Sequence, residues 1–158
     1  MDGFDERVAL AKEFRRYRPK MVIGFGSKTP MASPDHYQAM QITDAAVFYS
    51  RLTKWDDVFD HLPVHTIERQ LYFRLSFEPA PAMGGEHSIT MDISNTLEQK
   101  LASIACYATQ FPASKGYIFD RVKGLAHAAG AAAQCTAGET FFLTRALKTK
   151  DLLRSALG

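Results

Sequence analysis

The run Lys20-Met21-Val22-Ile23-Gly24-Phe25 restricts what this chain can fold into more than any other segment. It is short, apolar and without polar alternation, the pattern of a strand covered on both faces. Pro19 separates it from an amphipathic stretch, 5–18, that opens with Asp5 and Glu6 and closes with Arg15, Arg16 and Arg18, so that its charges complement a helix dipole from end to end. Leu10, Phe14 and Tyr17 form the apolar face of that helix, supported by Val8 and Ala11. A helix leading into a buried strand predicts a layered α/β sheet.

The next signals continue this alternation. Ser33-Pro34 reads as a helix start, with Ser33 as N-cap and Pro34 at the first helical position, where its missing N–H costs nothing. The helix is expected over 34–52, and Ala45 to Tyr49 is apolar nearly all round, which predicts a buried helix. A connection at 53–65 precedes a strand at 66–77, a Pro/Gly loop at 78–87 and an alternating strand at 88–93. Asn95 and Glu98 look like a capping pair for a helix at 95–111, with Leu97, Leu101, Ile104, Ala105 and Ala108 on its buried stripe. A second helix at 117–134, a short extended piece at 138–143 and a terminal helical turn at 149–157 complete the inventory. Three longer strands are few for a doubly wound fold, which usually holds five or more, so the sheet is small or its N-terminal strands come from elsewhere.

Length and composition bound the function classes. A chain of 158 residues, 46% hydrophobic and 23% charged, fits one ordinary globular domain and excludes disorder, collagen or coiled coil as its main structure. A net charge of +2 is too small to imply a nucleic-acid or anionic-membrane partner. Cys106 and Cys135 stand in Ala-rich segments without metal or redox spacing and are expected to be small buried residues of a reducing compartment. The acidic start Met1-Asp2-Gly3-Phe4-Asp5-Glu6 is unlike a secretory signal, and no apolar run approaches the roughly 18 residues of a membrane span, so a cytoplasmic location is the expectation.

Ligands of open α/β sheets gather at the carboxyl ends of strands, which directs attention to loop 24–36. With Ser33 as N-cap, His36 falls in the first helical turn, where the positive end of the dipole disfavours the imidazolium and favours the neutral ring a metal requires. Asp35 beside it could orient a ligand, act as a base or simply favour the helix start. His61 and His65 are four apart, but Pro63 between them argues against one helical face. His87 and His127 have no partner at ligand spacing. Gly24-x-Gly26 lacks the third glycine of a dinucleotide fingerprint, and there is no Walker loop, nucleophile elbow or HExxH.

Taken in order, Arg18-Pro19-Lys20-Met21-Val22-Ile23, Ser33-Pro34-Asp35-His36 with Ala46-Val47-Phe48, Met91-Asp92-Ile93-Ser94, Lys100 with Tyr107-Ala108-Thr109-Gln110-Phe111, and Gly138-Glu139-Thr140-Phe141 resemble the successive landmarks of the LmbE-like (PIG-L) zinc-dependent N-deacetylases, across roughly residues 5–145. The resemblance implies a Rossmann-like domain, a zinc ion, and removal of an acyl group from an amino sugar or sugar conjugate by metal-assisted amide hydrolysis. It implies that His36 is a zinc ligand, matching the last His of the family's His-Pro-Asp-His motif, and that Asp35 is the Asp supporting the motif's first His. Asp92 and Thr109-Gln110 match later positions that look structural. Two departures are evident: the motif's first His is Ser33 here, which can donate a hydrogen bond but cannot act as an acid, and the family's N-terminal Ala-His-Pro-Asp-Asp-Glu motif, source of two zinc ligands and the general base, has no counterpart.

The resemblance therefore implies a single but partial LmbE-like α/β domain over 1–158, matching the C-terminal two-thirds of such a protein. As an isolated chain it is expected to be inactive or nearly so, and to form a homo-oligomer or to need a missing N-terminal partner segment. The rival expectation is a non-catalytic binding or assembly module of the same ancestry. A third is an unrelated domain binding anions at the helix start, 33–36.

Overall fold

The computed structural model describes residues 2–29, 32–73, 75 and 87–157. Its order is α1 (Phe4–Tyr17), β1 (Met21–Phe25), α2 (Asp35–Tyr49), a 3-10 turn (Asp56–Phe59), β2 (Arg69–Phe73), β3 (Ser88–Asp92), α3 (Leu97–Ala105), a second 3-10 turn (Ala113–Lys115), α4 (Tyr117–Ala132), β4 (Gly138–Leu143) and α5 (Leu152–Leu157). The strands make one open mixed sheet in the order β1-β2-β4-β3. β1 and β2 run parallel with Met21 opposite Arg69 and Phe25 opposite Phe73, whereas β4 is antiparallel to both its neighbours. The segment 138–143, expected only as a short extended piece, is thus the strand that joins the two halves of the sheet.

α1 ends at Tyr17 because Pro19 follows, and Arg18 turns left-handed (φ 50°) with its N–H returning to Phe14 O. The buried side of α1 is Val8, Ala11 and Arg15. Leu10 and Phe14 pack against that core from its margin, but Tyr17, expected on the apolar face, is 77% exposed. The face is rotated because its partner is α2, and the spacing Val8, Ala11, Arg15 carries a charged residue into the interior.

Arg15 is 1% exposed, and its hydrogen-bond partners among the described residues are carbonyls. Its guanidinium lies 3.9 Å from the Phe59 ring centre and donates to Leu62 O at 2.9 Å, Leu52 O at 2.6 Å and Tyr49 O at 3.4 Å. Tyr49 is the last residue of α2 and its carbonyl belongs to the negative pole of that helix, while Leu52 and Leu62 lie in the chain beyond it, so the cation balances partial charges that water would otherwise solvate. Burial pulls the Arg15 pKa below the ordinary arginine value, while Asp56 acts in the opposite direction.

α2 lies over β1. A Cβ on Gly24 would stand 3.3 Å from Thr43 Cγ2, so the glycine lets this helix approach the strand. Gln70 Nε2 and Tyr72 Oη donate to Asp44 Oδ1 at 2.6 and 2.9 Å and fasten β2 to the same helix. Burial and Asp44 together push the Tyr72 hydroxyl up to about 12. The expectation that α2 is buried all round is not met: only Ala46 is buried within it, and Phe48 is 48% exposed beneath the Arg51 guanidinium. One side of its apolar surface meets α1 and β1, and the other faces outward.

A second core joins α3, α4 and the β3–β4 end through Ile93, Leu97, Leu101, Val122, Ala126 and Ala137. α3 stops at Ala105, well short of residue 111, and the chain turns about Tyr107, whose carbonyl accepts from the N–H groups of both Gln110 and Phe111. Ala105, the last residue of α3, and Ala108 beyond it are exposed, and Asn95 and Glu98 make no capping pair, since Thr96 is the N-cap and carries no side-chain cap bond. The cysteines also differ from expectation: Cys106 is exposed and Cys135 half-buried, and both are free thiols. The strand expected at 66–77 is described over Arg69–Phe73, and loop 78–86 lies outside the described residues.

Gly130 decides how closely α4 meets β4. A Cβ there would fall 2.7 Å from Ala137 Cα, Ala137 N and Cys135 O, all backbone atoms that cannot rotate aside. Gly130→Ala is expected to cost about 2–3 kcal/mol despite alanine's better helix propensity. A thermal melt of the variant reads this, and unchanged or raised stability would contradict the packing.

Candidate functional site

The carboxyl end of β1 carries the predicted site. Phe25 is its last residue, loop 26–34 follows, and the first turn of α2 brings His36 back over the strand end. The imidazole stacks on the Phe25 ring with centroids 4.6 Å apart at 14°, and Phe25 in turn meets Phe73 of β2 at 4.7 Å. Nδ1 of His36 lies 3.0 Å from Oγ1 of Thr29, which is buried at 7% exposure. The ring is held on one face by an aromatic and along one edge by a hydroxyl, and its free nitrogen is Nε2. The hydroxyl can accept from Nδ1–H or donate to a bare Nδ1, and in the first case Nε2 carries the lone pair, the arrangement that orients a histidine as a ligand.

Ser33 and Asp35 form a separate pair. Asp35 N–H donates to Ser33 Oγ at 3.3 Å, which is the capping bond expected of Ser33, although the regular helix begins at Asp35 with Pro34 at its N-cap position. The Ser33 hydroxyl donates to Asp35 Oδ2 at 3.0 Å. The carboxylate therefore faces residue 33, and the single hydroxyl proton is spent on it. Both side chains are exposed, whereas His36 is half-buried. An open cavity of about 490 Å³ is walled by Lys28, Thr29, Ala32, Ser33, Pro34 and Tyr37, with Lys28 Nζ 5.0 Å from the Tyr37 ring centre; Ser33 and Thr29 reach it, whereas Asp35 and His36 do not line it. Its size suits a small molecule.

The remaining histidines serve elsewhere. His65 Nε2 lies 2.8 Å from Pro19 O and His127 Nδ1 2.9 Å from Thr136 O, so each ties a loop to its neighbour. His61 is exposed beside Asp57, and His87 is a turn residue at φ 67°. Asp92 accepts from Ser94 N–H and Oγ–H at 2.8 and 2.6 Å, which holds its carboxyl below the usual range, and Ser94 Oγ accepts from Ala137 N–H. This network joins β3 to the start of β4, the structural role expected of the Asp-Ile-Ser landmark. Thr109 and Gln110 are exposed in the turn after α3. Thr29 and Phe25 escaped sequence reasoning as site residues, since nothing in their spacing marks them before the loop is folded.

Among the described residues no group of three His, Cys, Asp or Glu side chains is arranged to hold a metal ion. His36 offers one donor, whereas zinc takes three or four from protein. The described residues fit one coordination position of such an ion and not a complete site.

No protein-family model matches the chain. Solved structures do. A conserved protein of Thermus thermophilus aligns over 94% of this chain and 62% of its own, with 24% identity and a TM-score of 0.73. The 4-carboxy-2-hydroxymuconate hydratase GalB of Pseudomonas putida aligns over 96% and 63%, with 18% identity and a TM-score of 0.76. The N,N'-diacetylchitobiose deacetylase of Pyrococcus horikoshii, crystallised with an inhibitor, aligns over 87% and 50%, with 21% identity and a TM-score of 0.69. The fold is Rossmann-like: an open four-stranded sheet flanked by helices, shared with this deacetylase and this hydratase. The chain spans between half and 63% of the length of these three proteins. Among the described residues no helix is long and apolar enough to cross a membrane.

Proposed function

We propose that residues 1–158 are the part of an LmbE-like N-deacetylase that carries His36 as one metal ligand, with an amino sugar or sugar conjugate as substrate. The observation that carries this reading is the pairing of His36 Nδ1 with the buried Thr29 hydroxyl at a strand's carboxyl end: with that hydroxyl accepting from Nδ1–H, Nε2 is the nitrogen left to a metal. The Pyrococcus neighbour, an N,N'-diacetylchitobiose deacetylase, supports the reaction class. In this reading Asp35 holds the Ser33 hydroxyl at the cavity rim, where the family's first motif histidine would stand. The further donors and the base come from polypeptide outside these residues.

The rival, a non-catalytic relative, draws on Ser33 and on the lack of a counterpart to the family's acidic motif in residues 1–158. Because a hydratase has a similar fold, architecture by itself does not choose between reactions. Amine release from an N-acetylglucosamine conjugate tests the choice, using this chain and any longer polypeptide in which it occurs, each beside its His36→Ala variant. The reading expects near-inactivity from the chain alone and, in the longer polypeptide, zinc-dependent release that the variant loses. Equal release by the variant would overturn it.

A further inference from the structure

A second cavity, of about 290 Å³, lies between the C-terminal half of α2 and the sheet. Asp44 and Phe48 reach it from one face of α2, four residues apart, and Arg51 from the turn that follows. Thr66 and Gln70 reach it from the start of β2, and Arg145 from the chain leaving β4. Because β1 and β2 are parallel, this is the opposite end of the sheet from His36. It stands on the β2 and β4 side, away from the outer edge of β1.

Two guanidinium groups line this cavity, and neither has a carboxylate within ion-pair distance among the described residues. Arg51 is set by stacking 4.7 Å from the Phe48 ring centre, and no hydrogen-bond acceptor meets it among the described residues. Arg145 donates from Nη2 to Glu68 O at 2.9 Å, which fixes its fork and leaves its other N–H groups. Asp44 receives both Gln70 Nε2 and Tyr72 Oη on Oδ1, so Oδ2 is the acceptor left over. The carbonyl end of α2 would repel an anion, but Arg15 covers Tyr49 O and the His65 N–H covers Ser50 O.

We propose that this cavity binds a small hydroxylated phosphomonoester, a sugar phosphate in chemical class. Arg51 and Arg145 hold the phosphate, and Asp44 Oδ2 accepts from a hydroxyl beside it. One guanidinium fork satisfies the two oxygens of a carboxylate, whereas two forks match the three terminal oxygens of a phosphate. The volume is at the low end for ligand cavities, which favours a single ring over a nucleotide. Both arginines remain exposed, so the affinity falls as salt is added. The site shares no residue with the His36 region and stands apart from the deacetylase reading.

Isothermal titration calorimetry with glucose 6-phosphate, inorganic phosphate and glucose tests this, on the 158-residue chain and on any longer polypeptide in which it occurs. The expected result is saturable binding of glucose 6-phosphate, weaker binding of inorganic phosphate and none of glucose. Arg51→Gln and Arg145→Gln are each expected to weaken glucose 6-phosphate at least ~10-fold with unchanged circular dichroism. Arg51 has no hydrogen bond of its own to lose, so its variant separates binding from folding. Asp44→Asn turns the leftover acceptor into a donor and is expected to erase the advantage of glucose 6-phosphate over inorganic phosphate. Binding of neither phosphate, binding that both arginine variants keep, or binding confined to the shorter chain overturns the proposal.

Discussion

Arg15→Ala is expected to destabilise the fold by about 3–5 kcal/mol, a larger loss than the one expected at Gly130. The size follows from what stays behind. A buried ion pair can be exchanged for apolar residues at little cost when both partners leave together, but the partners of Arg15 are the carbonyls of Tyr49, Leu52 and Leu62, which no side-chain change removes. Truncation takes the guanidinium from Leu52 O and Leu62 O, while Tyr49 O keeps the Leu52 N–H at 3.0 Å, and it opens a void over the Phe59 ring. Arg15→Met keeps the stem and loses the donors, so it is expected to recover only the packing share. Arg15→Lys keeps a charge but cannot span three carbonyls at once. For a domain of this size the alanine variant should melt roughly 10 °C lower. A methionine variant as stable as the parent would show that the carbonyl contacts contribute nothing net.

Substitution of His36 is expected to have the largest functional effect, and Thr29 explains part of it. A ligand imidazole must be neutral, in one tautomer and correctly turned before the ion arrives. Here the Thr29 hydroxyl holds the Nδ1 edge and the Phe25 ring sets the plane. In a polypeptide that supplies the remaining donors, Thr29→Val is expected to lower zinc affinity about 10–100-fold, the usual range for losing a ligand's hydrogen-bond partner, and His36→Ala to lower it further. The two changes together should then cost little more than His36→Ala alone, because Thr29 acts through the ring. Equilibrium dialysis against zinc reads all three variants, and additive losses would contradict the coupling.

The elements most faithfully foretold are those delimited by local chemistry. Pro19 ends α1, and Ser33-Pro34 opens α2 through a serine bond observed at Asp35 N–H. What the sequence hid depends on partners far along the chain. Arg15 stands where it would complement its own helix, but it serves the end of α2, 34 positions away, and the carbonyl of Leu62, 47 away. Tyr17 loses its place on the apolar face for the same reason. Ala105 and Ala108 continue the α3 periodicity on paper, yet the helix ends at Ala105, and both are exposed. At the candidate site, helix geometry located His36, whereas its fixation by Thr29 required the intervening loop to fold back.

The central claim is that His36 presents an unprotonated Nε2 to a divalent ion, and a long-range proton–nitrogen correlation spectrum of the histidine rings, recorded near neutral pH with and without zinc, tests it most directly. The account predicts a ring protonated at Nδ1, with the Nε2 resonance of His36 shifting as zinc is added and the tautomer mixing in Thr29→Val. A ring protonated at Nε2, or a His36 signal indifferent to zinc while His61 and His87 respond, would contradict it.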